Sequence, residues 1–394
     1  MDSIDRAISI DDLRAAAQRR LPDFAFMPME MGSGNGRGPQ RNVAAFERYR
    51  LAPRVLINTR SVDQGVSLFG TRYDSPFGIS AIGLADRMMP GTDEALAEAA
   101  AYARIPFILS GGTTTPIERI TKLAPGMVWQ QLYAARTRSI SDAFLGRGAD
   151  CGCTVLVFTV DLLAPLWIDW LKRAGIALPA SIQRRAWLRV IKEVLTHPSW
   201  SLAQARAGGL ATFEGWRPYA KAGATRIELT DWVFSEMHGG HDWSYVEHVR
   251  KLWKGKLVIK GLLRQDDVAR AFNLGADAVT VSNHGGNRLD NIVPPLEVLP
   301  EIAASRTPGQ TVLFDGGIRR GSDILVARAL GADLSFVGRA ALYGALAGGA
   351  RGALRAVEIL RDEVARTLAH AGCPDVAAFD SSFLVPVAEF TTAV

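Results

Sequence analysis

Short apolar runs recur along the chain at 78–81, 107–109, 128–132, 154–159, 257–260, 278–282, 311–315 and 334–337. Most are apolar at every position rather than at alternate ones. That is the pattern of a strand covered on both faces, as in a parallel sheet. Helix-length segments lie between them, among them 92–104, 266–275 and 322–331. Each begins near a Ser, Thr or Asp that can cap a helix, and the last two end on glycine. Eight strand–helix units predict an α/β fold, the (β/α)8 TIM barrel. A doubly wound sheet would want a Gly-rich nucleotide turn after the first strand, and Ser80-Ala81-Ile82-Gly83 is a poor one.

Two regions fall outside this repeat. Residues 1–74 read as an N-terminal helical lead-in packing on a barrel of residues 75–394, and the run Gly32-Ser33-Gly34-Asn35-Gly36-Arg37-Gly38-Pro39 within it reads as a mobile loop. Residues 162–245 separate strands four and five and are far longer than a usual βα connection. They carry Trp167, Trp170, Trp187, Trp200, Trp216, Trp232 and Trp243. Loops at the carboxyl ends of barrel strands surround the active site, so this insertion is expected to be its lid.

The 394 residues are 48% hydrophobic and 22% charged, the composition of a globular domain. The first twenty residues are rich in Asp and Arg, unlike a signal peptide, and no apolar run approaches the roughly 20 residues of a membrane span. The cytoplasm is the expected compartment. Cys151, Cys153 and Cys373 cannot make a disulfide framework, and Cys151-x-Cys153 alone is a weak metal signal, so no metal is expected. The net charge of +5 is unevenly placed. Between residues 165 and 210, seven basic residues (Lys172, Arg173, Arg184, Arg185, Arg189, Lys192, Arg206) face only Asp169 and Glu193. The remainder is near neutral, which argues against a nucleic-acid partner. In the same segment Trp167, Trp170, Leu171, Ile176 and Leu178, then Trp187, Leu188, Val190, Ile191 and Leu195, interleave with the bases. A helical lid explains this composition, and so does peripheral contact with an anionic membrane through 165–210.

Candidate chemistry gathers at strand ends. Asp315-Gly316-Gly317-Ile318-Arg319-Arg320-Gly321-Ser322 follows strand seven, and Gly338-Arg339 follows strand eight. Barrels bind phosphate at this place, through backbone N–H groups and a helix start. Glycines allow close approach, and Arg319 or Arg339 can meet a phosphate at two points. Lys260 ends strand five; most such lysines snorkel to the surface, but Gly261 follows it and the strand points into the site. Ser282-Asn283-His284-Gly285-Gly286-Asn287-Arg288-Leu289-Asp290 follows strand six. A histidine at a strand end followed by two glycines is aimed into an open site, and imidazole titrates where a general base is useful.

This last segment resembles the His-Gly-Gly-Arg signature of the FMN-dependent α-hydroxy-acid oxidases and dehydrogenases, the glycolate oxidase and lactate/mandelate dehydrogenase family. The resemblance runs from about Leu21 to Cys373. It implies FMN held by Ala81, Ile82 and Gly83 after strand one, Ser110 after strand two, Gln131, Thr159, Lys260 and Ser282 at later strand ends, and Asp315, Gly316, Gly317, Arg319, Gly338 and Arg339 around the phosphate. It implies His284 as general base, Asp161 as its carboxylate partner, Tyr133 as donor to the reacting oxygen, and Lys260 as the cation favouring reduced flavin. It further implies a small-molecule substrate and a homo-oligomer, a tetramer in the family. Oxygen, a quinone or a redox protein remain open as electron acceptor.

The sequence also departs from the family. The arginine that grips the substrate carboxylate is Asn287. The family's substrate-binding tyrosine falls at Pro28, or at Phe26 with a two-residue shift. An aromatic residue after strand two is Gly112, and a second arginine falls near Ile168. Asn287 remains the expected substrate contact at its position, with Tyr133 and His284, while Arg288, its neighbour, is expected to turn elsewhere. Asn283-His284-Gly285-Gly286-Asn287 with Leu289-Asp290 also looks like the pre-mycofactocin synthase branch. The expected activity is oxidation of the Cα–H of a 2-hydroxy acid or related hydroxy compound with hydride transfer to FMN. The alternatives are oxidation of an amine or amide carbon in a larger non-carboxylate substrate, and, in another class, a non-catalytic flavin-binding protein.

Overall fold

The computed structural model describes residues 4–164, 168–177, 181–237 and 241–387. Trp167 and Leu178 of the insertion lie outside them. Eight parallel strands close into a barrel: β1 Phe77–Ile79, β2 Phe107–Leu109, β3 Val128–Tyr133, β4 Val155–Thr159, β5 Lys256–Leu262, β6 Ala278–Val281, β7 Thr311–Asp315 and β8 Leu334–Val337. β8 returns to pair with β1 through Val337 and Ile79. Almost every strand residue is buried, as the unbroken apolar runs require. The register sets Tyr133, Thr159 and Lys260 side by side, so the carboxyl ends of β3, β4 and β5 finish at one level.

The lead-in contributes helices α1 Ile10–Arg20, α2 Asp23–Met31 and α3 Arg37–Ala44. α1 begins with a full capping box between Ser9 and Asp12 and packs on the last helix. The glycine run expected to be mobile is instead packed. Ser33 N–H donates to the Gly286 carbonyl at 3.4 Å, and Arg37 N–H donates to Asp290 Oδ1 at 2.9 Å. Its glycines serve close approach: a Cβ on Gly286, whose φ is +75°, would sit 2.5 Å from the Gly38 carbonyl carbon.

The insertion folds over the mouth of the barrel. It contains α4 Asp169–Ala174, a two-residue hairpin (Ile176–Ala177 with Ser181–Ile182), α5 Trp187–Thr196, α6 Pro198–Arg206 and α7 Arg226–Met237. Phe213, Trp216, Leu229, Val233 and Met237 form an apolar cluster with Tyr133, Ala135, Ile140 and Leu162 at the barrel mouth. Trp216 Nε1 donates to the Gly111 carbonyl at 3.0 Å, and Trp200 Nε1 to the Met88 carbonyl at 2.6 Å. The final helix, α8 Arg339–Ala371, starts at the site and breaks at Gly348–Gly349. No helix among the described residues is long and apolar enough to cross a membrane.

Candidate active site

A cavity of about 710 Å³ opens at the carboxyl ends of the strands and is lined in part by the insertion. Ala81, Ile82, Gly83, Gln131, Tyr133, Lys260, His284, Asn287, Asp315, Gly316, Gly317, Arg319, Gly338 and Arg339 all line it. Four other expected residues stand behind this wall. Thr159 Oγ1 accepts from Gln131 Nε2 at 2.6 Å, fixing that amide. Ser110 Oγ accepts from Gly112 N–H at 3.1 Å and so closes its own turn. Ser282 and Asp161 hold Lys260 and His284 respectively.

His284 is held by position as well as by partners. Its φ is +57°, a backbone state that costs an L-residue roughly 1–2 kcal/mol. Surrounding contacts enforce it. Ser282 Oγ accepts from His284 N–H at 3.1 Å, and Asn283 Oδ1 accepts from Gly286 N–H at 3.0 Å. Asn283 and Asn42 of α3 exchange two amide hydrogen bonds, at 2.8 and 2.7 Å. The His284 ring meets Asp161 Oδ1 through Nδ1 at 2.7 Å. A carboxylate there fixes the proton on Nδ1 and leaves the Nε2 lone pair facing the cavity. Asp161 comes this close because residue 261 is glycine; with φ +109°, a Cβ there would lie 2.6 Å from Asp161 Cγ.

Two donors converge on that lone pair. Tyr133 Oη lies 3.4 Å from His284 Nε2, and Arg288 Nη2 lies 3.2 Å from it. Burial lowers the His284 pKa; Asp161 works against this, and the Arg288 and Lys260 charges add to the lowering. The ring is therefore biased toward its neutral, proton-accepting form. Burial alone would raise the Asp161 pKa, but the adjacent His284, with Lys260 and Arg288, outweighs it and holds the carboxyl ionised.

Lys260 Nζ donates to Ser282 Oγ at 2.7 Å and to Asp315 Oδ2 at 2.5 Å. Asp315 also accepts from Ser282 Oγ, and from Ser80 Oγ at 3.0 Å. Burial disfavours the ammonium, but Asp315 and Asp161 more than offset it, and the Lys260 pKa is raised.

At the opposite wall, Arg339 is buried against neutral oxygens. It donates to the Met29 carbonyl, the Gly285 carbonyl and Asn287 Oδ1, each at 2.9 Å. Burial, with Arg319 nearby, brings its pKa down to about 10. Among the described residues no ion pair is formed with Arg339, and Glu30 only partly offsets its burial; an anion held between Arg319 and Arg339 would relieve the remaining cost. α8 also begins here: Gly338 and Arg339 line the cavity, and the first N–H groups of a helix have no intrahelical partner. Gly338 has no atom nearer than 4.0 Å to the position of a Cβ. A phosphate fits this set of donors, and Lys260 supplies a cation farther into the cavity.

Arg288 corrects one expectation: it does not turn elsewhere but reaches the cavity that Asn287 also lines. In the left-handed run from His284 to Gly286 the chain reverses, so the ordinary alternation of neighbours is lost. Asn287 turns to Arg339 on the phosphate side, and Arg288 turns to the base. Sequence reasoning also missed Asn42 and Met29, and gave Asp290 no role of its own. No local signal marks Asn42, whose partner lies 241 residues away.

Comparison with known proteins agrees with this geometry. The sequence profile of the FMN-dependent dehydrogenases matches residues 17–386. The chain is 34% identical to an (S)-mandelate dehydrogenase of Pseudomonas putida over 379 residues, covering 95% of this chain and 93% of that protein. It is 32% identical to an L-lactate dehydrogenase of Ectopseudomonas mendocina, covering 95% and 97% respectively. A solved structure of the monotopic membrane protein (S)-mandelate dehydrogenase superposes with a TM-score of 0.90 at 32% identity, covering 97% of this chain and all of that one. These relatives give no support to the likeness to pre-mycofactocin synthases. Matched along nearly its whole length, and with a cavity that suits a phosphate-bearing cofactor, the chain belongs to the FMN-dependent dehydrogenase family.

Proposed function

We propose that this enzyme oxidises a 2-hydroxy acid with a bulky apolar substituent to the 2-oxo acid, working at a membrane surface. The observation that carries the reading is the convergence of Tyr133 and Arg288 on His284 Nε2, with Asp161 behind the ring. His284 takes the proton from the substrate hydroxyl at Nε2. Asp161 keeps the ring oriented and stabilises the imidazolium that forms. Tyr133 Oη steadies the substrate oxygen as its proton leaves. FMN, when bound, would accept the hydride from the carbon that bears this hydroxyl. Lys260, kept charged by its carboxylate neighbours, favours negative charge gained nearby.

Space supports a bulky substituent. Gly112 lines the cavity where the family has an aromatic residue, so no side chain at that position occupies it. Ile176, Ile182, Leu210, Phe213 and Phe234 continue the cavity as an apolar wall into the lid. A neutral amine or amide substrate, which Asn287 invited, is disfavoured by the cation that Arg288 presents to the base.

The membrane reading rests on α5. Val190 packs inward, while Trp187, Leu188, Ile191 and Leu195 are exposed to 49%, 83%, 48% and 73%. Arg184, Arg185 and Lys192 are exposed beside them. An apolar stripe flanked by bases suits an anionic lipid surface. Lid and membrane contact are thus two faces of one insertion. Because Val190 and Trp200 also line the cavity, we propose a lipid-soluble quinone as the electron acceptor.

His284→Ala tests the chemistry. FMN should remain bound, and anaerobic flavin reduction by a 2-aryl-2-hydroxy acid should slow by on the order of 10²–10⁴-fold. An unchanged rate removes His284 from the mechanism.

A further inference from the structure

We propose that Arg288 is the residue that recognises the substrate carboxylate, and that in the substrate-free enzyme it caps the lone pair of the base. The inference rests on the reading of His284 as that base and names the group that makes the site selective for acids.

Three observations lead to it. Asn287 is already engaged: its Oδ1 accepts from Arg339 Nη2 at 2.9 Å, and its amide carries no charge to pair with a carboxylate. Arg288 reaches the cavity, with Nη2 3.2 Å from His284 Nε2. Its Nε is buried without a hydrogen-bond partner among the described residues. Asp161 is near enough for its charge to be felt but does not hydrogen-bond Arg288: Oδ1 is bound to His284 Nδ1, and Oδ2 is itself without a hydrogen-bond partner among the described residues. The guanidinium is therefore a cation with donors to spare, standing next to the base.

The chemistry of the substrate class matches this spacing. In a 2-hydroxy acid the hydroxyl and the carboxylate sit on adjacent carbons. A base for the first and a cation for the second must be near neighbours, as Nε2 and the Arg288 fork are. The Arg288 N–H and the substrate hydroxyl cannot both use the one Nε2 lone pair. A carboxylate draws the guanidinium into a charge-assisted pair, roughly twice as strong as a neutral hydrogen bond, and so frees the lone pair. A neutral amide or ester offers no such pull. Acids thus gain both in binding and in access to the base.

The test uses the FMN-loaded enzyme and the variants Arg288→Met and Arg288→Lys. Benzoate, which cannot be oxidised, is titrated while the visible flavin spectrum is followed. In parallel, anaerobic flavin reduction is measured for one 2-hydroxy acid and for its own amide. Arg288→Met should weaken benzoate binding by at least about tenfold, and should lower the acid-to-amide ratio in kcat/KM by about 100-fold. Arg288→Lys, which keeps charge but not the fork, should fall between. An unchanged ratio in either folded, FMN-bearing variant overturns the proposal. The benzoate titration needs no proton transfer, so it reads Arg288 even if His284→Ala shows that another group is the base.

Discussion

His284 combines a strained backbone, an ionised carboxylate partner and a lowered pKa, and each bears on when it can accept a proton. The sign of the pH dependence follows. Protonated His284 cannot act as base, so kcat/KM for flavin reduction should rise with pH through the His284 pKa and then level off. Burial, Arg288 and Lys260 lower that pKa against the opposing pull of Asp161, and Tyr133 faces the same nitrogen. The midpoint should therefore lie below the ordinary value of about 6.5. A midpoint above 7 in the free enzyme contradicts this account of the electrostatics. At the other wall, Arg339→Ala should weaken FMN binding. Losing a charge-assisted partner of a phosphate costs about 1.5–3 kcal/mol, and titrating FMN into the flavin-stripped protein measures it. Undiminished affinity would move the phosphate elsewhere. At this scale the sequence was readable in position: His284, Lys260 and residues of both glycine–arginine turns line the one cavity, as expected. It misled at Arg288, because alternation of neighbours presupposes extended backbone, and residues 284–286 are left-handed.

Among the elements, the strands were the most legible. Burial on both faces leaves apolar runs that cannot be confused with surface chain, and β2, β7 and β8 begin and end where those runs do. The glycine run at 32–39 was misread for a physical reason. Glycine permits flexibility, but it also permits backbones to touch, and here Gly38 meets Gly286 beneath the catalytic turn. Nothing within eight residues distinguishes the two uses; the partner does. The amphipathic character of α5 was visible in its residues, but which side faces water needed the fold. Its prediction belongs here. Leu188→Glu combined with Leu195→Glu should weaken co-sedimentation with vesicles of anionic lipid by at least about tenfold, given the apolar area these side chains expose. Both lie outside the cavity lining, so reduction of the flavin by substrate should be unaffected. Equal sedimentation of variant and parent would leave α5 as lid alone.

For the molecule as a whole, the barrel supplies a rigid rim and two additions complete the site. The lead-in brings Asn42 under the catalytic turn and the Met29 carbonyl to Arg339, and the insertion roofs the cavity with apolar groups. These long-range contacts were beyond the reach of sequence periodicity; the two lead-in contacts join residues 241 and 310 positions apart. The measurement that tests the central claim most directly is anaerobic mixing of the purified, FMN-loaded enzyme with excess 2-aryl-2-hydroxy acid, with flavin absorbance and product followed together. The account predicts full loss of the oxidised flavin spectrum and one 2-oxo acid formed per FMN. An unbleached flavin, or bleaching by amines without any 2-oxo acid from the hydroxy acids, would contradict it.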